Sequence, residues 1–140
     1  MVNQTIKTIP HSVVILINDN NEILLEERLD DGYFDFPGGG VEDDEGFENA
    51  ARRELLEETG LYADELELFK IYTGDITYYK YWNGNEIYGI DYIYICRNYH
   101  GDLSPQETEI KSLLYCPLDK MPEKMSKRNK QIIQDLKSVL

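Results

Sequence analysis

The segment from Gly39 to Leu61, GGVEDDEGFENAARRELLEETGL, constrains the fold more than any other part of this chain. It carries Glu54, Glu57 and Glu58 at spacings i, i+3 and i+4, which bring side chains together on one face of a helix. Like charges so placed repel, and an i,i+4 pair costs roughly a few tenths of a kcal/mol. On a wheel of about 100° per residue, Phe47, Ala51 and Leu55 form an apolar stripe. Glu54 and Glu58 fall beside Phe47, Glu57 falls close to Ala50, and Leu56 falls opposite. A merely solvated acidic face would lie opposite the stripe. These carboxylates instead flank the face that packs inward. A hard divalent cation, Mg²⁺ or Mn²⁺, which prefers carboxylate and water oxygens, is the natural group to hold there.

The flanks fit that expectation. Pro37-Gly38-Gly39-Gly40 precedes the helix, and successive glycines permit dihedrals and close backbone approach that other residues do not. A loop is expected here, its exposed amides lying next to a helix N-terminus where they can bind phosphate oxygens. Asp44 is the expected N-cap, with Asp43 and Glu45 beside it at the positive end of the helix dipole. Gly60 after Thr59 marks the left-handed stop. Arg53, four residues before Glu57, is placed to orient carboxylates while staying charged.

Gly39, Glu45, Arg53-Glu54-Leu55, Glu57-Glu58 and Gly60-Leu61 stand at the spacings of the Nudix box, nine fixed positions within 23 residues. The chain closely resembles that family of hydrolases, which act on nucleoside diphosphates linked to another moiety. The likeness extends to His11–Arg28, similar to the family's first hairpin, and to Phe36-Pro37-Gly38-Gly39 before the box. It also takes in Leu114–Asp119, with Tyr115 where the family often has Trp. The resemblance implies one Nudix hydrolase domain over residues 1–140, an α/β/α sandwich around a central mixed β-sheet. It implies Glu54, Glu57 and Glu58 as ligands of Mg²⁺ or Mn²⁺, Arg53 and Glu45 as orienting groups, and Gly39 as the glycine that shapes the loop.

Composition agrees with a single soluble domain: 29% charged and 41% apolar residues over 140 positions. No apolar run approaches the roughly 20 residues that span a bilayer, and MVNQTIKTIPHS lacks the apolar region of a secretory signal. A cytoplasmic protein is expected, with Cys96 and Cys116 as free thiols that fill structure. The net charge of −13 argues against long nucleic acids, which are bound through Lys and Arg. It is compatible with a small phosphorylated nucleotide arriving with metal. A homodimer is allowed. Lys124, Lys127, Arg128 and Lys130 precede Ile132, Ile133, Leu136, Val139 and Leu140 at helical spacing, a terminal helix read as scaffold.

Strands are expected at Val13–Ile17, Glu22–Arg28, Glu67–Thr73, Ile76–Trp82, Glu86–Cys96 and Leu113–Cys116. Asn18–Asn21 makes one turn, and Asn83-Gly84-Asn85 is a strong hairpin signal. Asn98–Thr108 reads as a loop. Strands interleaved with two helices give an α/β layered domain. Seven tyrosines stand between Tyr72 and Tyr94. Tyrosine suits sheets, and a ring can also stack on a nucleobase for about 1–3 kcal/mol. Tyr78 is the candidate for that contact, with Gly38, Gly39 and Gly40 for the phosphates. His11 and His100 have no nucleophile or metal partner nearby in sequence and read as structural.

Phosphoanhydrides resist attack because their oxygens repel a nucleophile. Metal neutralises that charge and acidifies a water, and a carboxylate removes the proton. In the resembling family the base is a box glutamate or one on a later loop. Here Glu109 is the preferred later candidate, ahead of Glu107, and Glu54 is the alternative within the box. The substrate class spans nucleoside triphosphates, including oxidised ones, with dinucleoside polyphosphates and ADP-sugars as alternatives. A Nudix-fold nucleotide-binding module without turnover is the alternative of a different kind.

Overall fold

The computed structural model describes residues 6–81 and 83–140. In chain order the strands are β1 (Lys7–Leu16), β2 (Glu22–Arg28), β3 (Phe34–Asp35) and β4 (Gly38–Gly40). Helix α1 (Phe47–Thr59) follows, then β5 (Leu61–Ala63), β6 (Glu67–Tyr72), β7 (Tyr78–Lys80), β8 (Glu86–Cys96), β9 (Tyr99–Gly101), β10 (Ile110–Pro117) and helix α2 (Lys127–Lys137). β1 and β8 run parallel in continuous register from Lys7↔Ile87 to Leu16↔Cys96. β4 flanks β1, while β6 and β7 flank β8, all antiparallel. The main sheet is therefore mixed, as expected.

The apolar run of β1 shows why two layers of helix are needed. A strand buried on both faces reads as continuous apolar sequence rather than as an alternation. Val13 and Ile15 enter a core with Ile132, Ile133 and Leu136 of α2. Val14 and Leu16 enter the opposite core with Ala51 and Leu55 of α1. The chain thus forms a helix–sheet–helix sandwich. Among the described residues no helix is long and apolar enough to cross a membrane.

Several local expectations are corrected. β1 and β2 meet at the Asn18–Asn21 turn but share only the bridge Ile17↔Ile23. They then part into different sheets, β2 lying between β10 and β3. The supposed glycine loop is strand β4, aligned as His11↔Gly40, Ser12↔Gly39 and Val13↔Gly38. Backbone pairing with β1 satisfies polar groups that an open loop would leave to a ligand. Residues 74–77 form a 3-10 turn, which shortens the expected Ile76–Trp82 strand to β7, and Trp82 lies outside the described residues. The Asn98–Thr108 loop contains β9, which pairs with β5 directly after α1.

Helix α1 begins at Phe47 with Gly46 as its N-cap, and no side chain caps it. Asp44 therefore does not take that role, because it lies two residues too early. The end of the helix is as expected: Gly60 takes φ 80° and its amide donates to the Leu56 carbonyl. A Cβ there would lie 2.6 Å from the Asp102 carbonyl oxygen. Gly32 has a similar φ of 71° but open space around the missing Cβ. Left-handed backbone costs an L-residue about 1–2 kcal/mol. Gly32→Ala should therefore lose about that much stability in denaturant titrations, and Gly60→Ala clearly more. Equal losses would show that the Asp102 segment shifts at no cost.

Candidate functional site

Helix α1 lies against β4 with almost no space between them. A Cβ on Gly39 would fall 2.6 Å from the Glu54 carboxylate, and one on Gly38 would collide with the backbone of Ser12 and Val13. The Ser12 hydroxyl donates to the Phe47 carbonyl at 2.6 Å, anchoring the first turn. Phe47 stacks on Tyr92 with ring centroids 3.7 Å apart. Ala50, Ala51 and Leu55 are fully buried and Leu56 is exposed, which matches the wheel. The Gly38 amide donates to Glu58 Oε2 at 3.2 Å.

Arg53 holds the outer part of the cluster. Its Nε and Nη2 donate to both oxygens of Glu45 at 2.7 and 2.9 Å, a two-point fork. Nη1 reaches Glu54 at 3.0 Å and Glu57 at 3.3 Å, while Nη2 also donates to the Gly40 carbonyl at 3.0 Å. Hydrogen bonding from Arg53 keeps the Glu45 carboxyl below its ordinary value, and Arg53 in turn holds its proton more tightly. One guanidinium thus links the pre-helical turn, the glycine strand and two box glutamates.

The inner part is different. Glu58 is 8% exposed and Glu26, from β2, only 4%. Burial pushes Glu58 far above the carboxylate range, and the adjacent Glu26 adds to the shift. Burial also raises Glu26, against the lowering effect of its hydrogen bond with Glu58. Two buried like charges side by side are costly, so both carboxyls hold a proton more tightly than an exposed one would. Glu26 Oε1 is buried with no hydrogen-bond partner.

Among the described residues no three Asp, Glu, His or Cys side chains are already spaced as a metal cage. Arg53 holds Glu54 and Glu57, and Glu58 is turned to Glu26. The donor chemistry nevertheless fits Mg²⁺ or Mn²⁺: every available group is a hard oxygen, and one buried oxygen lacks any partner. Glu57 lies at the solvent edge, its side chain 52% exposed. Glu109 is exposed in the turn before β10. Its carbonyl accepts from the Leu29 amide at 3.0 Å, and its carboxylate has no recorded hydrogen bond or ion pair among the described residues. The loop carrying it is tied to the end of α1, through Ser104 N to Thr59 O at 2.7 Å and Gln106 N to Glu58 O at 3.2 Å.

A cavity of about 740 Å³ adjoins this centre, lined in part by Tyr33, Tyr78, Tyr79, Tyr81, Asp35 and Asn129. Asp35 joins the two regions, because it lies opposite Glu26 in the pairing of β2 with β3. Asn129 Nδ2 donates to Asp35 Oδ1 at 2.7 Å. Asp91, nearly buried, is held between His11 Nδ1 at 2.8 Å and Arg128 Nη1 at 3.0 Å. The terminal helix is thus more than scaffold, since its first turn builds the cavity wall. Tyr78 lines the cavity and its hydroxyl donates to Glu86. Of the other tyrosines, Tyr92 packs on Phe47, Tyr94 is in the α1-side core, and Tyr72 donates to Asp135 at 2.6 Å.

Glu26, Asp35, Asp91, Arg128 and Asn129 were not singled out by the sequence. A signal existed only for Glu26: in Ile23-Leu24-Leu25-Glu26 it shares the α1-facing parity of Leu24 and breaks an apolar stripe. The others come together across separations as long as 94 positions, and local pattern carries no trace of such contacts.

Comparison with known proteins gives the family. An RNA pyrophosphohydrolase from Pseudomonas putida is 38% identical over 69 residues, 49% of this chain and 43% of that protein. A putative 8-oxo-dGTP diphosphatase from Bacillus subtilis is 50% identical over 50 residues, 36% of this chain and 34% of that protein. The chain thus spans less than half the length of the curated relatives it matches. Among solved structures, a MutT NUDIX hydrolase from Burkholderia pseudomallei superposes with TM-score 0.78 at 21% identity, covering 93% of this chain and 98% of its own. The E. coli ORF135 protein superposes with TM-score 0.72 at 24% identity, covering 96% and 91%. These likenesses show the fold. The NUDIX domain model matches residues 7–136, so the chain belongs to the NUDIX family.

Proposed function

We propose that this chain hydrolyses the phosphoanhydride of a nucleoside diphosphate linked to another moiety, nucleoside triphosphates included, and requires Mg²⁺ or Mn²⁺ to do so. The observation that carries this reading is the convergence of Glu54, Glu57 and Glu58 with the glycine strand and Arg53, beside a tyrosine-lined cavity. Such a cavity falls within the roughly 300–1,000 Å³ typical of small-molecule sites.

In this reading Glu54, Glu57 and Glu58 hold the cation, which when bound supplies neutralisation of phosphate charge and a more acidic water. Arg53 orients the carboxylates and, through Glu45 and Gly40, fixes the approach to the helix. Glu54 is favoured as the base over Glu109, because it lies against Gly39 in the centre whereas Glu109 points into solvent. It removes the proton as the water oxygen bonds to phosphorus, and the anhydride oxygen leaves with the bond's electrons. Tyr78 and its neighbours stack on the nucleobase, while Asp35 and Asn129 offer polar atoms to its edge. The free thiols Cys96 and Cys116 suit a cytoplasmic location.

The relatives named RNA pyrophosphohydrolases raise a second substrate class, RNA. The net charge of −13 disfavours a long polyanion here, and we assign the smaller nucleotide. A panel of nucleoside triphosphates, their oxidised forms, dinucleoside polyphosphates, ADP-sugars and triphosphorylated RNA, with products separated by chromatography, decides among them. A nucleotide should be cleaved with Mg²⁺ or Mn²⁺ and spared in EDTA. Undiminished turnover without metal would contradict the site. Binding with no product from any substrate would leave a nucleotide-binding module.

Glu57→Gln and Glu58→Gln should each lower kcat at least about 100-fold, equivalent to roughly 2.7 kcal/mol of transition-state stabilisation. Glu48→Gln, on an exposed part of the same helix, should change little. Near-native turnover in both box variants would remove them as ligands.

The base is tested separately. Glu54→Gln should abolish most turnover, and Glu109→Gln should retain most of it. The reverse result, with metal affinity intact in Glu109→Gln, would move the base to the later loop.

A further inference from the structure

The best packed answer at position 26 would be an apolar side chain. Strand β2 presents Leu24 to the α1-side core, and position 26 continues that parity into a place only 4% exposed. A glutamate there is expensive unless it is paired. It lies beside another carboxyl, Glu58, and its Oε1 is buried with no hydrogen-bond partner among the described residues. Glu54 is close enough to add its own repulsion. A residue that breaks an apolar pattern at such cost belongs to a site rather than to the fold.

We propose that Glu26 is a fourth carboxylate ligand of the divalent-metal centre, sharing a cation with Glu58. The inference rests on the metal reading given above and extends it to a residue outside the box. It accounts for the orphaned oxygen, which a hard cation would satisfy directly, and for two buried carboxylates in contact. It also gives the centre an anchor on the sheet. The box glutamates all come from one helix, and Glu26 fixes the cation from β2, on the side where Asp35 leads into the cavity.

The test is Mn²⁺ binding itself, by calorimetry and by the electron paramagnetic resonance of free Mn²⁺, on wild type, Glu26→Gln, Glu26→Leu and Glu58→Gln. Thermal midpoints are recorded in EDTA and in Mn²⁺. Glu26→Gln and Glu26→Leu should each weaken Mn²⁺ at least tenfold and lose most of the Mn²⁺-induced rise in midpoint. In EDTA the midpoint of Glu26→Leu should equal or exceed that of wild type, since the unpartnered buried oxygen is gone, and that of Glu26→Gln should stay near wild type. A merely structural Glu26 would do the opposite, lowering the midpoint in EDTA and leaving Mn²⁺ affinity unchanged. If Glu26→Leu fails to fold, the near-isosteric Glu26→Gln decides alone. Wild-type affinity in the Glu26 variants with loss in Glu58→Gln overturns this proposal and leaves the box centre standing. Wild-type affinity in all three overturns the metal centre as well.

Discussion

The close approach of helix α1 to the glycine strand is the constraint on which the rest of the site depends. A Cβ on Gly39 would meet the Glu54 carboxylate at 2.6 Å, so that carboxylate would have to move. The close approach is maintained from both ends, by Ser12 bonding the first turn and by Gly60 turning the chain back against Asp102. Packing of Ala51 and Leu55 against Val14 and Leu16 holds the middle. Gly38 and Gly39 thus serve close contact, whereas a Cβ at Gly40 would meet nothing. A side chain at position 39 would push the Glu54 carboxylate away from β4.

Within that frame, charge is divided into two zones. Near solvent, Arg53 pairs with Glu45, Glu54 and Glu57. Beneath it, burial raises both Glu58 and Glu26 above the ordinary carboxylate range. Stability alone would favour neither zone, since buried carboxylates in contact can often be replaced by apolar residues at no loss.

Much of this was legible in the sequence because it is local. The three glutamates, Arg53, Glu45 and the left-handed Gly60 all lie within one helix and its flanks, where spacing translates directly into geometry. The strand at Val13–Ile17 was likewise expected, and the structure covers its apolar run on both faces. What failed was set by distant partners. Gly38–Gly40 became a strand because β1 was beside it, and β9 formed inside an expected loop because β5 offered an edge. The cavity was invisible for the same reason: His11, Asp91 and Arg128 meet only after β1 pairs with β8 and α2 docks beneath them. Glu26 was the one long-range participant with a local sign, a charge where an apolar residue belonged.

The central claim is that the carboxylates of α1, pressed against the glycine strand, form a divalent-metal centre. Crystals soaked in Mn²⁺ and measured for anomalous scattering test it most directly. The account predicts a strong peak at direct ligand distance, roughly 2.0–2.6 Å, from oxygens of both Glu54 and Glu58, with Arg53 still bound to Glu45. A peak confined to surface carboxylates elsewhere, or none at this centre at saturating Mn²⁺, would contradict it.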